Sequence, residues 1–285
     1  MFAIILMIKH MVRYIISISD IHVRNFKRME ETSEMLEKCV EFCKDFSSQY
    51  NSEDIRIVIA GDVFDQKISA SNESKVLVSW FLRELNKIAK TIVICGNHDY
   101  LMNNASRLCS LTPVFSMSNF ENCSYLDMDL GYASGCVIDD NIVWCLFSTF
   151  EDFNRPEIDL LRIEHPDKTF IGLIHADING AKTDVGRVTE KGLNADYFKG
   201  LDFVIAGHIH KRQEIKQNGV KIVYCGSLMQ NNMGENLSGH GGVIWDVENK
   251  SYETFDLDRG DYGFYKFIIE NENDIENDCE KILNL

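Results

Sequence analysis

Three kinds of residue pattern are scarce or missing, and each absence narrows the reading. The chain of 285 residues has only 3 prolines, and 45% of it is hydrophobic, which excludes wholesale disorder and leaves ample material for one large core. Its 9 cysteines include no Cys-x-x-Cys pair. They read as small buried hydrophobes in a reducing compartment rather than as a thiolate zinc site. No apolar run reaches bilayer length: Met1 to Ile8 is cut off by Lys9 and His10, with no charged leader and no small-residue cleavage site. Residues 1–13 read as an N-terminal extension, either a leader or an added strand, with Met11 as an alternative start. No membrane partner and a cytoplasmic location are expected.

Positive charge is also short. Lys and Arg number 29 against 44 Asp and Glu, a net charge of −15. That balance disfavours a protein that grips nucleic acid by blanketing phosphates with cations. It does not disfavour a metal-dependent nuclease, because bound ions supply local charge that composition does not count. The chain carries no internal repeat and no low-complexity tract.

What is present is alternation. Tyr14 to Ser19, Ile55 to Ala60 and Thr91 to Cys95 are short apolar runs rich in β-branched residues. Between them lie two amphipathic stretches. Met29 to Phe46 places Leu36, Cys39, Val40, Cys43 and Phe46 on one face, and Glu73 to Lys90 does the same with Leu77, Trp80, Phe81, Leu85 and Ile88. Ser71 and Asn72 are cap candidates for the second. This β-α-β-α-β order predicts a parallel sheet covered on both faces, with a site beyond the carboxyl ends of its strands. Further strands are expected at Cys136–Ile138 and Ile142–Phe147 as a hairpin, and at Phe170–Ile174, Phe203–Ala206, Val220–Cys225, Gly242–Val247, Tyr252–Leu257 and Phe264–Ile269. A short helix is expected over 157–163 and a closing helix over 274–283. Residues 101–135 show no regular pattern.

Polar residues recur where the strands end: Asp20-x-His22, Gly61-Asp62, Gly96-Asn97-His98-Asp99, His175 and Gly207-His208-x-His210. Any one of these alone is as readily a cap or a polar turn. Five in order, each after an apolar run, point to a metal centre. Two carboxylates, one amide and four imidazoles are mixed N/O donors that suit Mn, Fe, Co, Ni or Zn. Seven ligands are too many for one open catalytic ion and suit two ions sharing a carboxylate.

In that arrangement the chain resembles the calcineurin-like metallophosphoesterases, from about Tyr14 to Leu257. The resemblance implies an α/β fold, a β-sandwich flanked by α-helices on both sides, over residues 14–260. It implies that Asp20, His22, Asp62 and His210 hold one ion and Asp62, Asn97, His175 and His208 the other, with Asp62 as the bridge. Two divalent ions clamp a phosphoryl group and acidify a water. His98, next to Asn97 and not itself a ligand, is then the candidate general acid, and Asp65 the carboxylate expected to hold its ring.

The segment Tyr224-Cys225-Gly226-Ser227 through Gly234-Glu235, followed by Gly241 to Asp246, resembles the SbcD-type repair nucleases and their T-even phage recombination counterparts. That family implies Mn-dependent exonuclease and endonuclease action on DNA, a homodimer, and an SbcC-type coiled-coil ATPase subunit. Asp65 stands where archaeal and eukaryotic members have histidine, which favours the bacterial and phage branch. Residues 261–285 leave room for only a fragment of that family's capping domain, so the ATPase partner has little to dock on. Arg24, Lys211 and Arg212 are candidate DNA contacts. The alternatives are a phosphatase acting on a nucleotide or phosphoprotein and, more remotely, a catalytically silent scaffold. A bland reading of 226–235 also stands: a loop between two strands, with its glycines serving only the backbone.

Overall fold

The computed structural model describes residues 11–265, apart from positions 105, 218 and 259. The β-branched runs become strands and the amphipathic stretches become helices. The first half runs β1 (Tyr14–Ile18), α1 (Met29–Ser47), β2 (Ile55–Ala60), α2 (Asn72–Ile88), β3 (Lys90–Ile94), α3 (Leu111–Met117), β4 (Cys123–Tyr125) and α4 (Leu126–Asp129). The second runs β5 (Gly135–Asp139), β6 (Ile142–Phe147), α5 (Ile158–Glu164), β7 (Thr169–His175), β8 (Phe203–Gly207), β9 (Gln213–Gln217), β10 (Val220–Tyr224), β11 (Gly241–Asp246) and β12 (Ser251–Asp256). Ser71 caps α2 as expected, its hydroxyl accepting from the Ser74 amide at 3.2 Å.

These strands build two mixed sheets, ordered β12-β11-β1-β2-β3-β4 and β5-β6-β7-β8-β10-β9. In the first, β1 to β4 run parallel, and β11 and β12 add an antiparallel edge. In the second, β6, β7, β8 and β10 run parallel, with β5 and β9 as antiparallel edges. Both faces of the first sheet are covered, but by different things. On one face Ile57, Ile59 and Val93 pack with Leu36 of α1 and Phe81 of α2. On the other, Val58, Ala60 and Ile92 pack with Trp144, Ile171, Leu173 and Ile205 of the second sheet. The alternation of side chains along a strand makes this possible, since neighbours point to opposite faces. Trp245 of β11 stacks on Phe203 of β8 across the sandwich, ring centroids 4.2 Å apart, while its indole N–H donates to Ser17 Oγ at 3.1 Å. The second sheet's outer face is covered more thinly, by α5 and the 3-10 turn Ala195–Phe198. The architecture is an α/β sandwich of two sheets flanked by helices.

The end of the sandwich away from the loops described below is tied by one ion-pair cluster. Arg56 of β2, 2% exposed, donates through Nε to Asp139 Oδ2 at 2.7 Å and through Nη2 to Asp140 at 2.7 Å. Lys90 Nζ and Trp144 Nε1 also donate to Asp139, at 2.8 and 3.1 Å. Asp139 thus joins both sheets with its lone pairs filled.

The parallel sheet expected from the first third is present as β1 to β4, and the facing second sheet makes the sandwich that the family resemblance implied. Two local expectations change. β9 was not among the expected strands, and Gln213 to Gln217 pairs antiparallel with β10. Residues 101–135 hold α3, β4 and α4. The strand expected over Phe264–Ile269 lies, from 266 on, outside the described residues, as does the closing helix over 274–283. Among the described residues no helix is long and apolar enough to cross a membrane.

Candidate metal centre

Parallel strands present their carboxyl ends along one edge of each sheet, and the two edges meet. The chain leaves β1 into Asp20 and His22, β2 into Asp62 and β8 into His208. All four residues have positive φ, at 51°, 52°, 52° and 98°. Left-handed backbone at non-glycine residues is costly and collects at functional sites. Two glycines make the convergence sterically possible. A Cβ on Gly96 would strike the Asp62 carboxylate, and one on Gly207 would strike the Ala60 carbonyl and Ser19 Oγ.

The seven expected ligands come together. Donor atoms of Asp20, His22 and His210 lie within 4.8 Å of one another, as do those of Asp62, His175 and His208. Asn97 Oδ1 sits 3.1 Å from His175 Nε2 and 2.7 Å from His208 Nδ1. Asp62 Oδ2 lies between the groups, 3.6 Å from His22 Nε2 and 3.1 Å from His175 Nε2. Asp20, Asp62 and His175 are buried, while His208 and His210 face partly outward.

The far nitrogens decide what the near ones can do. His175 Nδ1 donates to the Ala60 carbonyl at 2.8 Å, and His210 Nδ1 donates to Glu235 Oε1 at 2.7 Å. His208 Nε2 approaches Asp177 Oδ2 at 3.4 Å, and His22 Nδ1 approaches Asp65 Oδ1 at 3.5 Å. When the rings are neutral, as metal binding requires, His175 and His210 present Nε2 inward and His208 presents Nδ1. His22 Nε2 faces His210 Nε2 at 3.1 Å, and His175 Nε2 faces Asp62 Oδ2 at 3.1 Å. A proton can hold either contact, a divalent ion can take its place, and the mixed N/O donors fit a borderline metal.

Titration reflects the same electrostatics. Burial opposes charge on His175, but the Asp62 and Asp20 carboxylates outweigh it and lift the ring to about 10. His210 is raised to about 9, again against burial, by Glu235 and Asp20. Burial would raise Asp62, yet His175 and His22 hold it well below the usual carboxylate range. Asp99 is pushed well above that range by burial and by Asp62. It accepts from the Phe64 and Gly96 amides at 2.8 and 2.9 Å and so staples the loop after β2 to the loop after β3.

His98 borders the centre. Its ring lies 4.8 Å from that of His22, nearly perpendicular, and a nitrogen of it falls within 4.8 Å of donor atoms of His22 and Asp62. Its Nδ1 donates to the main-chain carbonyl of Asp65 at 3.1 Å. The expected contact with the Asp65 carboxylate is not made. That carboxylate turns instead to His22 and to Arg24 Nε, at 3.5 and 3.8 Å, because the loop after β2 runs its backbone past His98.

The expected DNA contacts separate. Arg24 donates to the Asn231 carbonyl at 2.8 Å and remains partly exposed beside the centre. Arg212 is removed from the set: its guanidinium donates to the Gly242, Phe255 and Gly239 carbonyls and pairs with Asp256. Lys211 is half-buried next to His210.

Asp177 and Glu235 had no assigned role on sequence grounds. Asp177, two residues past His175, follows a ligand as Asp65 follows Asp62. Glu235 belongs to the Gly-Glu pair of the 224–235 segment, and a buried glutamate requires partners.

Residues 14–250 match the family model described as the calcineurin-like phosphoesterase superfamily domain. The chain is 36% identical over 294 residues to an uncharacterized protein of Acanthamoeba polyphaga mimivirus, an alignment spanning 93% of this chain and 21% of that protein. It therefore spans about a fifth of the length of that relative. Among solved structures it is similar to an archaeal phosphodiesterase, at 16% identity over 86% of this chain and 99% of the other, with a TM-score of 0.43. It is also similar to the anchor protein of the inner membrane complex of Plasmodium, at 12% identity over 86% and 89%, with a TM-score of 0.48. Likenesses of that size say nothing about substrate.

Proposed function

The chain belongs to the calcineurin-like phosphoesterase superfamily, and from that premise we propose that it is a two-metal phosphodiesterase acting on DNA, of the SbcD-type repair class. Asp20, His22, Asp62 and His210 would hold one divalent ion, and Asp62, Asn97, His175 and His208 the other, with Mn2+ as the proposed metal. Such ions supply Lewis acidity toward a phosphoryl oxygen and an acidified water. The chain's own residues do the rest. His98, anchored at Nδ1 by the Asp65 carbonyl, would in its imidazolium form give its Nε2 proton to the leaving oxygen. Asp99 fixes the two loops that carry Asp62 and Asn97.

DNA as substrate is supported by the sequence of the 224–235 segment, which resembles the SbcD-type nucleases. In the fold this segment packs on the ligands themselves. Glu235 accepts from His210 at 2.7 Å, and Asn231 Nδ2 donates to the Asp20 carbonyl at 3.3 Å. A loop that merely closed the sandwich would not need to reach two ligands. A homodimer and an SbcC-type ATPase partner belong to the same proposal.

The second reading is a phosphatase for a nucleotide or phosphoprotein. It is favoured by the net charge of −15 and by the commitment of Arg212 to backbone carbonyls. Incubation of linear duplex DNA with Mn2+, beside p-nitrophenyl phosphate, separates the two. The proposal expects nucleotide release from DNA; hydrolysis of the monoester with intact DNA selects the phosphatase.

A further inference from the structure

We infer that Glu235 is a positioning residue for the ligand His210, and that it sets cation affinity at the position formed by Asp20, His22, Asp62 and His210. The inference rests on the metal-centre reading and is independent of which phosphate ester is the substrate.

The Glu235 side chain is 1% exposed. Burying a carboxylate costs several kcal/mol unless its lone pairs are occupied. Four donors occupy them. Oε1 accepts from His210 Nδ1 at 2.7 Å and from Asn232 Nδ2 at 2.5 Å. Oε2 accepts from the Asn231 amide at 2.9 Å and from Ser227 Oγ at 3.1 Å. Three of these donors lie in the loop that Glu235 itself closes, and Gln230 Nε2 ties that loop further by donating to the Glu235 carbonyl at 3.0 Å. The remaining corner of the carboxylate is directed out of the loop, at His210.

That contact is the tightest of its kind in the centre. Asp177 and Asp65 stand 3.4 and 3.5 Å from the far nitrogens of His208 and His22, whereas Glu235 is at 2.7 Å. A charge-assisted bond of this length fixes both the tautomer and the rotation of the His210 ring. In the neutral ring that a cation would require, Nε2 is the free donor, 3.7 Å from Asp20 Oδ1 and 3.1 Å from His22 Nε2. The same loop also holds Asp20 through Asn231. A loop staple with no bearing on the cation would have no reason to aim a full charge at a ligand's far nitrogen.

Calorimetric titration of the full chain with Mn2+ tests this, with His210→Ala identifying which binding step belongs to this position. In Glu235→Ala that step should weaken roughly 10- to 100-fold while the other keeps its wild-type affinity. Glu235→Gln, which retains an oxygen for His210, should recover part of the loss, and it carries the test alone if the alanine variant does not fold. Gln230→Ala, which loosens the same loop without touching His210, should bind as wild type. Wild-type affinity in the Glu235 variants, equal weakening of both steps, or the same loss in Gln230→Ala would each overturn the inference. A wild-type chain that takes up no Mn2+ would reject the metal centre itself.

Discussion

The main-chain N–H of His98 donates to Oδ1 of Asp62 at 2.7 Å, while Oδ2 of the same carboxylate faces His22 and His175. The proposed acid is therefore attached to the proposed bridging ligand through its backbone and not through its ring. His98→Ala should leave Asp62 oriented and Mn2+ uptake unchanged, while turnover falls by about 10²- to 10⁴-fold. Steady-state rates beside metal content check this; wild-type turnover would remove His98 from the chemistry.

Asp65 offers a sharper discrimination. Its carboxylate lies toward His22 and its carbonyl toward His98. Asp65→Asn should therefore weaken Mn2+ binding and leave the alkaline limb of the pH–rate profile, where the protonated His98 is lost, in place. A shifted alkaline limb with unchanged metal affinity would restore the carboxylate–His98 pairing expected from sequence.

The two basic neighbours of His210 should behave differently. Arg212→Ala orphans three backbone carbonyls, so the unfolding free energy should drop by about 1–3 kcal/mol with no change in the salt dependence of DNA binding. Lys211→Ala should lower the slope of log affinity against log salt by about 1 and leave stability intact. Denaturant titration and binding isotherms at several salt concentrations measure both.

Most of the centre was legible in the sequence because its ligands sit where apolar strands stop. Asp20, Asp62, Asn97, His175 and His208 each follow a run too hydrophobic to be anything but buried. The second sheet was legible only through the family resemblance, because periodicity cannot tell a helix layer from a facing sheet. Gln213 to Gln217 is polar enough to pass for a turn, and only pairing with β10 makes it a strand. Side-chain direction was the least legible. Asp65 and Arg212 lie close to ligands in sequence, but whether such a group turns toward the centre depends on the local backbone path.

The Arg56–Asp139 cluster gives a stability prediction with a definite sign. Burial alone would raise Asp139, but Arg56 and Lys90 hold it down at about 2, against an ordinary value of 3.8. Its folded pKa is thus the lower one, so its stabilisation is full above pH 4 and is lost as pH falls toward 2. That loss is about 2 kcal/mol. Urea midpoints across this window should fall more steeply for the wild type than for Asp139→Asn, which lacks the titration; parallel curves would contradict the assignment.

Equilibrium dialysis against Mn2+, followed by elemental analysis, addresses the central claim most directly. A centre built from seven ligands around a shared Asp62 should take up two ions per chain, and Asp62→Asn should lose affinity at both steps. Uptake of a single ion, or two ions retained at wild-type affinity in Asp62→Asn, would contradict it.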